Sequence, residues 1–553
     1  MKEKQLLKRI KPYKNASPME TIHKIRGILL KNDIFVIEAA QKREPITGVC
    51  SCRIVLGDDG LRELNIGTNG KGMNARYALA SAYAEFMERF QNGALLWKVM
   101  GVPDSIPGDV EADKDEFRVV TANMITDLYG DFNDLDTIVD KYVNESNRYR
   151  IIELKDYQSS DCVKLPASLL NRMTGSNGMA AGNTRLEAII QGLSEIFERL
   201  AIHTLFWNKI TPPQIPEELF AGTDVYDRLK RLSSAGISYS ILDCSIDQNL
   251  PVIGLLIEKG GNYHIHFGAD PFPVTALERC LTEMFQGRNI DQLPLYPLMN
   301  EDAEAAQLFL NEERQYTDST GQVPVWMVRE KTDYTFEGFN HPVSVSDEED
   351  MEYYLKILND LGKRLFVHDC DLLGFPVVRL YVPGLTENHC PTPESCLAHV
   401  ISADIRKGLC RLPLLSDDEF RELALLLCEW LYSEYHISCA KDAPSGNFAK
   451  LKFAFPAGVF AGRTWDDSLI IAAVYIRGGL KELGKEWLDL YIAEHEFNSQ
   501  QTEALTIRLN SKSLAFLPTE WPQCPDCSSC RARHFCDEDS IERFRKENQL
   551  IFK

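Results

Sequence analysis

The sequence predicts a mixed α/β fold to about residue 395, with sheets and packed helices interleaved, followed by an all-helical region. Three observations carry that expectation. Turn-then-helix units recur, segments between them alternate apolar and polar residues as paired strands do, and after residue 396 the pattern turns helical.

The elements follow in order. METIHKIRGILLK reads as a helix and DIFVIEAA as β-rich. CSCRIVLGDDGLRELNIG reads as a hairpin turning at GDDG, because glycine and aspartate favour the tight bend between two apolar runs. GTNGKG reads as a glycine-rich turn before the helix NARYALASAYAEFMERFQNG. SNGMAAGNT reads as a second turn, before RLEAIIQGLSEIFERLAIHTLFW, and FGADPFPV as a third, before TALERCLTEMFQGR. The long segment ending in NYHIHFG and the segment RLFVHDCDLLGFPVVRLYVPG read as paired strands. The proline-rich TENHCPTPES marks a boundary. Beyond it, SDDEFRELALLLCEWLYSEYH, DDSLIIAAVYIRGGLKELGKEWLDLYIAEHEF and SQQTEALTIRLN are amphipathic and helical. The predicted domains are 1–395, a helical and repeat-like 396–515, and a cysteine-rich 516–553.

Composition narrows the function. The 553 residues carry 60 Lys and Arg against 81 Asp and Glu, a net charge of −21. That balance opposes general nucleic-acid binding and anionic membranes, both of which need a basic face. The best apolar run, SLIIAAVYI, is too short to span a bilayer. The basic N-terminus lacks the apolar core of a secretory signal. Most of the 15 cysteines stand singly among apolar residues, which points to a reducing cytoplasm.

Three helices share one chemical pattern. The first carries Glu85, Glu88 and Arg89; the second Glu187, Gln191, Glu195, Glu198 and Arg199; the third Arg279, Glu283 and Gln286. At about 100° per residue, each set falls on one narrow face. Such a face suits either solvated i,i+4 ion pairs or a cation site. Lysine is absent from all three, and converging carboxylates need a cation between them, which favours the second reading. Hard oxygen ligands suit Mg2+ or Ca2+, and Mg2+ commonly shares its ligands with nucleotide phosphates. The turns would offer backbone N–H groups to anions, with Lys14, Lys71, Arg199 and Arg279 supplying positive charge. NIGTNGKG is not a P-loop, because Asn65 stands at the first glycine position and Gly72 follows the lysine.

NGKGMNARYALASAYAEFMERF, SNGMAAGNTRLEAIIQGLSEIFER and ALERCLTEMFQGR resemble, in order, the three motifs of the YcaO family. The resemblance covers roughly residues 10–395. It implies a YcaO-type ATP-binding fold whose acidic helices hold several Mg2+ ions. It implies activation of a peptide backbone amide by O-phosphorylation, or assistance to β-methylthiolation of a small-subunit ribosomal protein beside a thiolating partner enzyme. It also implies a homodimer. By resemblance, Lys14, Thr21, Asn183, Arg199, Arg279 and Glu283 bind the nucleotide, and Lys71 and Gln286, from the charge and stripe reading, are expected there with them. Glu85, Glu88, Glu187, Glu195, Glu198 and Glu283 hold metal, and Glu195, Glu198, Arg199 and Arg279 serve catalysis. Thr21 replaces a family serine, Ala180 replaces another, and Asp270 stands where histidine is expected. The ENQLIFK ending lacks the proline-rich tail of many azoline-forming members, which makes an azoline- or thioamide-forming activity a secondary expectation. A non-catalytic ATP-binding module that recruits a partner through its helical half is the other alternative.

Cys524, Cys527, Cys530 and Cys536 form a C-x2-C-x2-C-x5-C array, suited to Zn2+ or an Fe–S cluster. His264 and His266 share a strand face but have no carboxylate at ligand spacing, so packing or surface roles are expected. Cys50 and Cys52 are expected to be structural.

Overall fold

A computed structural model of the chain describes residues 14–57, 65–95, 97, 105–130, 135–146, 148–303, 308, 311–312, 314–316, 319–339, 341, 344–388, 415–432 and 467–494. They form two compact units. The first takes the described residues of 14–95, 105–112 and 150–388, and the second those of 97, 113–149 and 415–494. One division between the units falls at residue 388. Residues 113–149, which the sequence reading places inside 1–395, group with the second unit instead.

The first unit opens with α1 (Pro18–Lys31). Ser17 and Glu20 close a reciprocal capping box at its start, satisfying two free N–H groups. β1 (Val36–Arg43), β2 (Cys50–Leu56) and β3 (Gly67–Gly72) make an antiparallel sheet, followed by α2 (Ala75–Gln91). Next come β4 (Val110–Glu111), β5 (Arg150–Asp156), β6 (Cys162–Pro166), α3 (Ala167–Thr174), β7 (Met179–Ala181), the 23-residue α4 (Arg185–Trp207) and α5 (Asp224–Ser234). β8 (Ser238–Asp243), β9 (Val252–Lys259) and β10 (Asn262–Ala269) form a second antiparallel sheet and lead into α6 (Pro273–Met284). α7 (Asp347–Asp360), β11 (Phe366–Asp369) and β12 (Val377–Tyr381) complete the unit. Its six-stranded sheet runs β4-β5-β11-β12-β7, with β6 paired to β5, all antiparallel.

α4 is the spine of the larger core. Ile189, Leu193, Ile196, Phe197, Ala201 and Leu205 are buried along it, packed with Val378, Leu380, Tyr354 and Trp326. A second core joins α5 and α6 to the β8–β10 sheet through Leu229, Leu232, Leu255, Ile257, Leu277 and Leu281.

The described part of the second unit is helical, as expected. Lys114–Tyr129 and Leu135–Glu145 pack through Phe117 on Tyr142, and Arg118 reaches Asp136 and Asp140. Asp417–Tyr432, Asp467–Arg477 and Lys481–Glu494 form a further helical cluster, with Arg477 paired to Asp417. Among the described residues, no helix is long and apolar enough to cross a membrane.

Candidate functional site

Three strand–helix pairs carry the acidic residues: β3 into α2, β7 into α4, and β10 into α6. This corrects the sequence reading of GTNGKG as a turn, while SNGMAAGNT keeps its turns on either side of the short β7 and FGADPFPV bends between β10 and α6. GTNGKG is the whole of β3, paired with β2 from Cys50↔Gly72 to Val55↔Gly67, and Met179–Ala181 is paired with β12. The glycines serve packing. A Cβ on Gly70 would stand 1.9 Å from the Ala78 carbonyl oxygen and 2.3 Å from the Ala82 nitrogen. One on Gly268 would meet the Ala276 carbonyl oxygen at 2.3 Å, and one on Gly182 the Ala188 nitrogen at 2.5 Å. Each strand is thus pressed against the helix that follows it, at a distance only glycine permits. Asn74 and Thr184 cap α2 and α4, while α6 starts at Pro273 with the Asp270 carboxylate accepting from Phe272 N–H.

On this frame the expected side chains come together. Arg89 Nε lies 3.4 Å from Glu88 and 4.0 Å from Glu85. Arg199 Nη2 donates to Glu195 at 2.8 Å and Nη1 to Asn388 at 3.2 Å. Lys71 Nζ, from β3, meets Glu283 of α6 at 3.1 Å. Arg279 donates to Gln191 of α4 and faces Asp270 at 3.9 Å. The start of the unit joins the same place. Thr21 Oγ1 donates to Asn183 at 2.8 Å, Asn183 Nδ2 to Glu187 at 3.1 Å, and the Asn15 N–H to Glu187 at 2.9 Å, with Lys14 Nζ 3.8 Å from the same carboxylate. Gln286, expected at the nucleotide, donates to the Asn69 carbonyl at 2.7 Å and ties the turn after α6 to β3.

The charges on the three acidic faces act on one another. Burial pushes the Glu88 carboxyl up to about 8, and the Glu195 and Glu85 carboxylates reinforce it against Arg89. Burial also raises Glu198, with Glu283 and Glu195 adding to it and Arg279 and Lys71 opposing. Burial works against the charge on Lys71, yet Glu283 and Glu85 hold it above the usual lysine value. For Glu283 burial is again opposed, here by Lys71, His266 and Arg279, and the carboxyl stays below its ordinary range.

Among the described residues, no three His, Cys, Asp or Glu side chains are gathered closely enough to hold a metal ion. Glu85, Glu88, Glu187, Glu195 and Glu283 lie instead against Arg or Lys. The donor set still fits Mg2+: the groups are hard oxygens, and burial, with Glu195 and Glu85 adding to it, pushes Glu88 toward the neutral form, a cost that a divalent cation beside it would offset. The four C-terminal cysteines lie outside the described residues.

Several residues of the site were missed or set aside. His266 packs in β10 as expected, 6% exposed, but it also faces Glu283 and Lys71, and burial takes its imidazole down to about 4. Asn15 and Asn388 reach the site from segments with no helical pattern to announce them, and Tyr316 reaches it from a helical stretch with none of the acidic pattern of the other three. Ala180 sits in the core, 0% exposed, and its neighbour Ala181 pairs with Val377.

Comparison with known proteins gives the family. A family profile described as YcaO cyclodehydratase, ATP- and Mg2+-binding, matches residues 69–386. The chain is 28% identical over 433 residues to the Escherichia coli protein named ribosomal protein S12 methylthiotransferase accessory factor YcaO, covering 73% of this chain and 70% of that one. It is 28% identical over 353 residues to an uncharacterised Haemophilus influenzae protein, spanning 58% of this chain and 57% of that one. Among solved structures, YcaO from Methanopyrus kandleri bound with AMPPCP and Mg2+ is similar at 19% identity and a TM-score of 0.42, covering 69% of this chain and 94% of that one. A heterocyclase in complex with substrate and cofactor is similar at 19% identity and 0.48, covering 69% and 55%. The first unit is thus a domain of the ATP- and Mg2+-binding class. The chain belongs to the YcaO family.

Proposed function

We propose that this chain is an Mg-ATP-dependent protein that activates a peptide backbone amide by O-phosphorylation, as a cytoplasmic homodimer. The observation that supports this reading is the meeting of Glu85, Glu88, Glu195, Glu198 and Glu283 from three helices around Lys71, Arg89, Arg199 and Arg279. An amide is a poor electrophile because resonance ties up its carbonyl, and a phosphorylated amide oxygen becomes a good leaving group. Mg-ATP, when bound, supplies the phosphoryl group and much of the charge neutralisation. The chain's own task is then positioning and electrostatics more than covalent chemistry. Glu85, Glu88, Glu187, Glu195, Glu198 and Glu283 would hold the cations. Lys14, Arg199 and Arg279 would hold phosphate oxygens, and Thr21 with Asn183 would fix the N-terminal segment over them.

A second reading is favoured by the printed name of the Escherichia coli relative: an accessory factor that holds nucleotide while a thiolating partner acts on a ribosomal protein. Calorimetric titration of ATP with and without Mg2+ tests the site common to both readings. Binding should require Mg2+, and Glu195→Ala should lose it while melting like the parent. Equal affinity in that variant would refute the assignment. ATP turnover that stays absent with a peptide and a partner present would favour the accessory reading.

A further inference from the structure

α4 continues past the acidic residues with a stripe of different chemistry. Arg199, His203 and Trp207 stand four residues apart and so share one helical face. Against that face lies Glu312, whose carboxylate is 0% exposed. It accepts from Trp207 Nε1 at 2.5 Å and from the Tyr316 hydroxyl at 2.6 Å, and it pairs with His203 Nδ1 at 3.0 Å. A carboxylate stripped of water is costly unless such partners replace its hydration. Glu312 is therefore a built anchor rather than a stray surface charge.

The anchor seats Tyr316 beneath Arg199. The guanidinium carbon lies 5.1 Å from the Tyr316 ring centroid, and the same hydroxyl lies 3.0 Å from the Arg199 carbonyl oxygen. Arg199 is also held by Glu195 and Asn388. Burial, followed by the Glu312 carboxylate, keeps the Tyr316 phenol protonated well above its ordinary range, so it remains a donor.

We infer that Tyr316, seated by Glu312, is a positioning residue for Arg199: its ring face fixes the guanidinium at the orientation in which Arg199 meets nucleotide phosphate. This rests on the proposed function. A planar fork that must match phosphate geometry loses much of its value when it is free to rotate. The ring restrains it without neutralising its charge, which a second carboxylate would do.

A double-mutant cycle on the full chain tests this, with Mg-ATP affinity read by calorimetry and folding checked by thermal melting. Tyr316→Leu should weaken Mg-ATP binding by roughly five- to tenfold, the scale of one desolvated cation–π contact. Tyr316→Phe, which keeps the ring, should recover most of the loss and guards against a Leu variant that does not fold. Tyr316→Leu added to Arg199→Ala should cost nothing further, because the tyrosine acts only through the arginine. Additive losses in the double variant, or parental affinity in Tyr316→Leu beside a weakened Arg199→Ala, would overturn the inference. A parent chain that binds no Mg-ATP would instead refute the proposed function, and this inference with it.

Discussion

Glu88 shows what a single residue contributes to the site. Its carboxyl is only 14% exposed, and both burial and its acidic neighbours push it up to about 8. A glutamate in the unfolded chain titrates near 4.3, so the folded state holds this proton more tightly. The stability this gives is complete below about pH 4 and is lost as pH rises through 8. In Mg2+-free buffer the parent should lose on the order of 4 kcal/mol more than Glu88→Gln between pH 5 and 9. Urea denaturation at a series of pH values measures the difference, and parallel curves for the two proteins would contradict it. Glu85, Glu88, Glu195, Glu198 and Glu283 were legible in the sequence because helical periodicity puts them on faces that can be drawn without knowing the neighbours. Asn15, His266, Asn388 and the Tyr316–Glu312 pair were not, because their meaning lies in what the chain brings beside them.

Strand–helix packing explains why GTNGKG, which reads as a turn, is a strand. Glycine has two uses, freedom of backbone angle and freedom from a side chain, and composition does not separate them. Here the second applies, because β3 and β10 each lie directly on the helix that follows. Gly70→Ala must therefore part β3 from α2, since its Cβ would meet backbone rather than a flexible side-chain end. The expected cost is about 2–3 kcal/mol, as for overpacked cores. Because Lys71 rides on β3 and Glu85 on α2, the same change should weaken Mg-ATP binding. Gly27→Ala, on α1 with nothing within 4 Å of the added Cβ, is the control and should change neither quantity. Chemical denaturation and calorimetry on the pair check both expectations. The remaining elements were more readable: α1, α2, α4, α6 and the β9–β10 hairpin have long periodic or alternating patterns, whereas the grouping of 113–149 with the second unit depends on contacts that no local pattern encodes.

At the scale of the whole molecule, the site belongs to no single segment. Thr21 reaches Asn183 across 162 residues of sequence, and Arg199 reaches Asn388 across 189. Mg-ATP should therefore stabilise the first unit as a whole, by about 2.7 kcal/mol at a hundredfold excess over its Kd. Urea denaturation with and without ligand should show a shifted midpoint at an unchanged slope; a gain confined to one probe would mean that the site opens independently of its unit. The Asn388 contact also bears on biosynthesis. A site spread this widely has high contact order, and loops this long close slowly. A chain growing at about 5–20 residues per second would complete all three acidic helices many seconds before the ribosome releases Asn388. Until then Arg199 lacks one of its holders, and a nascent chain would carry its acidic helices complete with that arginine still unanchored on one side.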